Sequence, residues 1–375
     1  MRFCFCSLML LCLAFGCNVG RSGSSRDGGD TSVDTVRYAD GYTVTRYGEY
    51  VKVEALDPWN KGKLLQRYIL VPRDKPTPAG LPEGTVVRVP IRNAVVYTSV
   101  HCEMLESIGA MDAIAGVCES KYIINAEIKK RIGEGKIQDL GESTSPNIEK
   151  MISLGTEVII ASPFDHGSYG AVEKTGIPVI ECADYMETEP LGSAEWIKFI
   201  GLFTGQSGSA DSVFNETEAN YNRIKSLVEN VEYRPKLMTG IKYGSAWYVP
   251  SGGSFMARIY EDAGANYLFG YLAGRGGAPL SFETVLDKAI HADVWLIQYN
   301  WGNDMTYESL RADYSPYGKF DAFRDRHIYG CNSNYSRYHE EYPLHPDYLL
   351  AELISIFHPR LLPGYKLRYF KPLTD

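Results

Sequence analysis

Between Ser209 and Val231 the positions Phe214, Thr217, Tyr221, Ile224, Val228 and Val231 recur at spacings of 3-4-3-4-3. That is one stripe of a helix, with only Thr217 weakly apolar. At about 1.5 Å per residue such a helix runs roughly 33 Å, the width of a small domain. Ser207 or Ser209 can cap it, and Arg234-Pro235 stops it. Similar segments stand on either side, SPNIEKMISLGTEVIIAS before and SFETVLDKAIHADVWLIQY after. Each starts on Ser, carries a short helix-period run and a small turn, and ends in an unbroken apolar run, VIIA or VWLI. A strand buried on both faces, as in a parallel sheet, reads this way. The pattern therefore predicts an α/β protein: two α/β lobes with central, mostly parallel sheets, joined by one long rigid helix.

The remaining chain divides around this frame. Residues 37–87 alternate in the β manner, with turns at Gly41 and Gly48 and a Pro/Gly-rich connector over 74–87, and predict a small antiparallel extension. The first lobe is expected over 88–190, the linking helical segment over 191–232 and the second lobe over 233–375. Ahead of them, Phe3 to Phe15 form an apolar segment too short to span a bilayer, which reads as a signal-peptide core over residues 1–17. It ends in Leu13-Ala14-Phe15-Gly16-Cys17, which resembles a bacterial lipobox and makes Cys17 the expected lipid anchor. Residues 18–36, rich in Gly, Ser and Asp, read as a flexible tether.

Composition narrows the function. The chain has 375 residues, is 45% apolar and 22% charged, and carries a net charge of −8. With no basic stripe to reverse that field, a nucleic-acid partner is not expected. Cys102, Cys118, Cys182 and Cys331 remain after the leader, with spacings of neither a metal knuckle nor a disulfide framework, and read mainly as buried thiols. The unusual feature is 27 Tyr. Tyr offers a large flat face and a polar tip at low entropic cost, which suits binding surfaces.

In open parallel sheets ligands gather at the carboxyl ends of strands. In the first lobe these ends carry Tyr97, Ser99, His101, Tyr122, Phe164, Asp165, His166 and Tyr169. In the second they carry Trp247, Tyr248, Phe255, Tyr299, Trp301, Asn303, Tyr335, Arg337 and Tyr338. Such a set suits a large, flat or partly apolar ligand held in the cleft between lobes. His101 and His166, with Asp165, Asp304 or His339, form the alternative, a divalent-metal site for zinc or manganese. Ser251-Gly252-Gly253-Ser254 at a strand-to-helix turn is either a tight turn or an anion seat on backbone N–H groups. No nucleophile elbow, Walker loop or HExxH is present, so an enzyme is not expected.

Several passages together resemble the periplasmic-binding-protein family for iron complexes and vitamin B12, the class III substrate-binding components of ABC importers. They are Val95 to Ser99 followed by Glu103 to Gly109, Asn147 to Leu154 with its strand, Gly253 to Phe255 through Ala263 to Asn266, and the helix from Pro346. The resemblance spans roughly residues 90–360 and implies the same two lobes on one rigid helix. It implies a monomeric lipoprotein in the cell envelope that captures an iron chelate (siderophore or haem) or a corrinoid and delivers it to an ABC permease and its ATPase, with no cofactor of its own. It also implies one carboxylate per lobe facing permease arginines. Glu261 matches the second-lobe position, and Asp165 and Glu173 both stand near the first.

Overall fold

A computed structural model describes residues 31–375; the leader, Cys17 and most of the expected tether lie outside the described residues. The connecting helix spans Ser207–Ser226. It starts two residues before the predicted stretch and ends five before its end, and Val228 follows in a turn while still packing inward. Neither serine caps it, because Gln206 occupies the cap position without a side-chain hydrogen bond. Its stripe serves two cores in succession. Ala210 and Phe214 pack into the first-lobe core, and Tyr221 and Ile224 into the second. A second helix, Pro190–Thr204, precedes it across a left-handed Gly205 (φ 70°) and is buried along nearly its whole length. The link is therefore a helical pair.

The first-lobe sheet has the order Val179–Glu181, Val158–Ala161, Ala94–Val96, Ile114–Val117, Gln138–Asp139, and every pairing is parallel. The apolar run VIIA is buried at all its positions, as its lack of alternation requires. The second-lobe sheet runs Asn266–Tyr267, Lys236–Thr239, Val294–Tyr299, Ile328–Asn332, Lys371–Pro372, parallel except for the last strand. A small antiparallel sheet of Lys242–Tyr243, Ala246–Pro250 and Gly277–Leu280 stands beside it.

The N-terminal extension is a five-stranded sheet that takes in more chain than expected. Ser32–Val33, inside the expected tether, pairs with Thr45 and Arg46. Thr85–Val89, inside the expected connector, pairs parallel to Leu64–Pro72, so the sheet is mixed rather than purely antiparallel. Tyr42 and Tyr68 of this sheet pack on Trp196, Phe199 and Phe203 of the buried helix, so the extension shares the first-lobe core.

Both ends of the described chain are fastened by one device. Glu195, fully buried, accepts from the backbone N–H groups of Arg37, Tyr38 and Ala39 at 2.7–3.1 Å. Glu352, also fully buried, accepts from Arg368, Tyr369 and Phe370 at 2.5–3.0 Å. A buried carboxylate is tolerated when its oxygens are saturated in this way.

Candidate functional site

The lobes meet at the carboxyl ends of their sheets, where three adjoining hollows form a cleft. The first, about 550 Å³, lies between Ser99, Lys121 and Tyr122 of one lobe and Asn300, Tyr335 and His339 of the other. Asn300 also borders the second, about 340 Å³, whose rings are Tyr243, Tyr248, Tyr260, Tyr299 and Trp301. Tyr248, Pro250 and Met256 pass from that hollow into the third, about 450 Å³, which faces Tyr185 and Met186 of the first lobe and Phe255 and Arg275 of the second. Each volume lies within the usual range for small-molecule sites of about 300–1,000 Å³.

The seam beside the cleft is ionic. Arg337 reaches across to Glu103 and, at 3.8 Å, to Glu106. Glu340 accepts from Ile124 N–H at 2.6 Å and Asn125 N–H at 3.2 Å, at the start of the helix Ala126–Gly133 that Asn125 caps. Burial pushes the Glu103 carboxyl up to about 7 despite the Arg337 charge. Arg337 is thus a fastening between lobes, outside the three hollows.

Of the residues expected from sequence, Ser99, Tyr122, Tyr248, Phe255, Tyr299, Trp301 and Tyr335 line these hollows. Others do not. Trp247 is fully buried, stacked on Trp295 at 5.6 Å, with its indole N–H on the Thr239 carbonyl. Successive strand residues point to opposite faces, so Trp247 turns inward because Tyr248 turns outward. Tyr338 is a core residue whose hydroxyl accepts from Gln298 Nε2 at 2.6 Å. Tyr97 and Phe164 each pack edge to face on Tyr169, outside the hollows, with the Tyr97 hydroxyl buried and unpartnered. Asn303 lies outside them too, its carbonyl accepting from Asn332 Nδ2.

The expected metal set does not converge. His101 is fully buried with Nε2 3.1 Å from Asp184 Oδ1, whereas the His166 side chain is 91% exposed. Among the described residues the one close set of metal-type side chains is His101, Cys182 and Asp184. There the carboxylate already takes the imidazole, and burial pushes the Cys182 thiol well above its ordinary value. All four cysteines in the described residues are free and buried.

The anion seat is also ruled out. The N–H groups of Ser251, Gly252, Gly253 and Ser254 bond to the carbonyls of Gly276, Leu272, Gly274 and Ser251. A Cβ on Gly252 would come within 1.9 Å of the Gly270 carbonyl oxygen, so the glycines serve close backbone packing. Glu261, on the helix Phe255–Asp262, is 69% exposed beside Arg258. Glu173 is committed to its own turn, accepting from Tyr169 N–H, while Asp165 stays half exposed beside His166.

Sequence reasoning missed Tyr185, Tyr243, Met256, Gln298, Asn300 and Arg275, which line the hollows. Tyr185 and Asn300 stood in strand-end segments and could have been chosen. Arg275, in a Gly-rich loop, gave no periodic signal.

The periplasmic binding protein family matches residues 94–335, more than half of the chain. The chain belongs to that family. Two uncharacterized lipoproteins of Methanocaldococcus jannaschii are similar along most of it. One is 28% identical over 322 residues, covering 81% of this chain and 75% of the relative. The other is 25% identical over 351 residues, covering 86% and 85%. Among solved structures, a periplasmic haem-binding protein from Pseudomonas aeruginosa aligns with a TM-score of 0.59 at 16% identity, over 76% of this chain and 98% of that one. The vitamin B12 binding protein of Vibrio cholerae aligns at 0.53 and 12%, over 71% and 98%. At such identities the likeness is one of fold. The periplasmic binding protein is a solute carrier rather than an enzyme, and the family implies a small-molecule ligand, a permease partner and a place outside the cytoplasm, associated with the envelope. No helix among the described residues is long and apolar enough to cross a membrane.

Proposed function

We propose that this protein is the lipid-anchored solute-binding component of an ABC importer, which holds an iron chelate (siderophore or haem) or a corrinoid in the inter-lobe cleft and hands it to the permease. The observation that carries the reading is the run of exposed or partly exposed rings, Tyr122, Tyr335, Trp301 and Tyr248, with the buried Tyr299 behind them, along adjoining hollows too large together for a bare ion. Flat rings with polar tips stack on a chelate or macrocycle and bond its edge without forming a covalent link. Cys17 is the proposed anchor and Glu261, exposed on the second lobe, the proposed permease contact.

Titration of the intrinsic fluorescence with haem, ferric siderophores and cobalamin tests this reading, since Trp301 lies in the cleft and Trp247 and Trp295 lie in the core behind it. Saturable quenching at micromolar concentrations of at least one is expected. A flat response to all three overturns the reading.

A further inference from the structure

Charge is unevenly settled along the cleft. Lys121, in the first hollow, is neutralised by Glu119 at 3.6 Å and Glu142 at 3.3 Å. Glu187, the carboxylate bordering the third hollow, is taken up by Asp40 N–H, Gly41 N–H and Trp196 Nε1. Arg275, on the same hollow, has neither a carboxylate partner nor a side-chain hydrogen bond among the described residues.

Its backbone, in contrast, is held on both sides. Ser251 N–H bonds to the Gly276 carbonyl at 2.9 Å and Gly253 N–H to the Gly274 carbonyl at 3.0 Å. The Ser-Gly-Gly-Ser turn therefore serves to fix the loop that presents Arg275 beside Tyr248, Phe255 and Met256. A guanidinium fixed at its base and unpaired at its tip, beside an apolar wall, is arranged for a flat ligand with an anionic oxygen group at its edge.

We infer that Arg275 selects ligands bearing a carboxylate or phosphate over neutral chelates of the same shape. This rests on the proposed cleft function and goes beyond it by naming the charge that the ligand carries.

Two probe pairs test it on the full-length protein and on Arg275→Gln. Haemin is compared with its dimethyl ester, in which the carboxylates are capped. Cyanocobalamin is compared with cobinamide, which lacks the phosphodiester together with its ribose and base, so in that pair only the part of the preference that Arg275→Gln removes is counted. In the pair that binds, the anionic member is expected to be about tenfold to a hundredfold tighter, as for a charge-assisted hydrogen-bonded pair. The preference should shrink with added salt, and in Arg275→Gln it should vanish for the haemin pair and fall about tenfold for the cobalamin pair; the melting temperature of the variant should match the parent because that side chain makes no internal bond. A preference that Arg275→Gln removes identifies a carboxylate when it lies within the haemin pair and a phosphate when it lies within the cobalamin pair. Equal binding of both members, or a preference that Arg275→Gln leaves unchanged, overturns this inference and leaves the cleft function standing. Failure of all four probes, together with a flat response to ferric siderophores, overturns both.

Discussion

The two lobes bring aromatic residues to the same kind of sheet edge and use them differently. In the second lobe Tyr248 and Tyr299 stand on strands and face the cleft, with Trp301 packed edge-on against Tyr299 at 5.6 Å. In the first lobe Tyr97 and Phe164 both pack on Tyr169, and the rings that reach the cleft, Tyr122 and Tyr185, sit on single 3₁₀ turns. One wall is thus pre-set by a sheet, the other is a lip on short turns. Rings fixed in advance lose little freedom on binding, so the second-lobe wall should hold most of the affinity.

The comparison breaks most directly at that wall. Joint replacement of Tyr248 and Trp301 by Ala should weaken chelate binding about a hundredfold by fluorescence or calorimetric titration, as loss of two stacked rings implies.

Next comes the seam. Glu103 holds its proton more tightly folded than unfolded, so its contribution to stability is complete below about pH 4.5 and lost as pH rises through about 7. Glu103→Gln should remove that slope from the melting temperature. Asp347, likewise raised to about 7 by burial, leaves a slope of the same sign in the variant.

Single replacement of Tyr122 or Tyr185 by Ala should cost only about threefold in affinity, since rings carried on short turns give up more freedom on binding than rings set by a sheet. Smallest is Tyr97→Phe. It should leave affinity unchanged and stabilise the fold by up to about 1 kcal/mol in chemical denaturation, because it deletes a buried hydroxyl without a partner. A lip substitution that costs as much as the wall pair would reverse the assignment of roles.

Where side-chain period alone decides burial, the sequence was legible. The stripe Phe214, Tyr221, Ile224 and the runs VIIA and VWLI located the connecting helix and a central strand in each lobe. Period also contained warnings that residue type obscured. His101 lies three and four positions before Met104 and Leu105, on the buried face of its helix, and Trp247 alternates with the exposed Tyr248. Arg275 and the strand Thr85–Val89 were illegible for another reason. Each depends on a partner distant in sequence, the Ser251–Gly253 turn for one and Leu64–Pro72 for the other, and no local pattern records such a pairing.

Phe214 and Tyr221, two turns apart on one helix, belong to different cores. Neither half is therefore a self-sufficient folding unit. A gene split near Thr217 would leave each product with an open groove where the missing half-helix had been, and the intact chain should melt in a single cooperative step, with damage to either core registered by both.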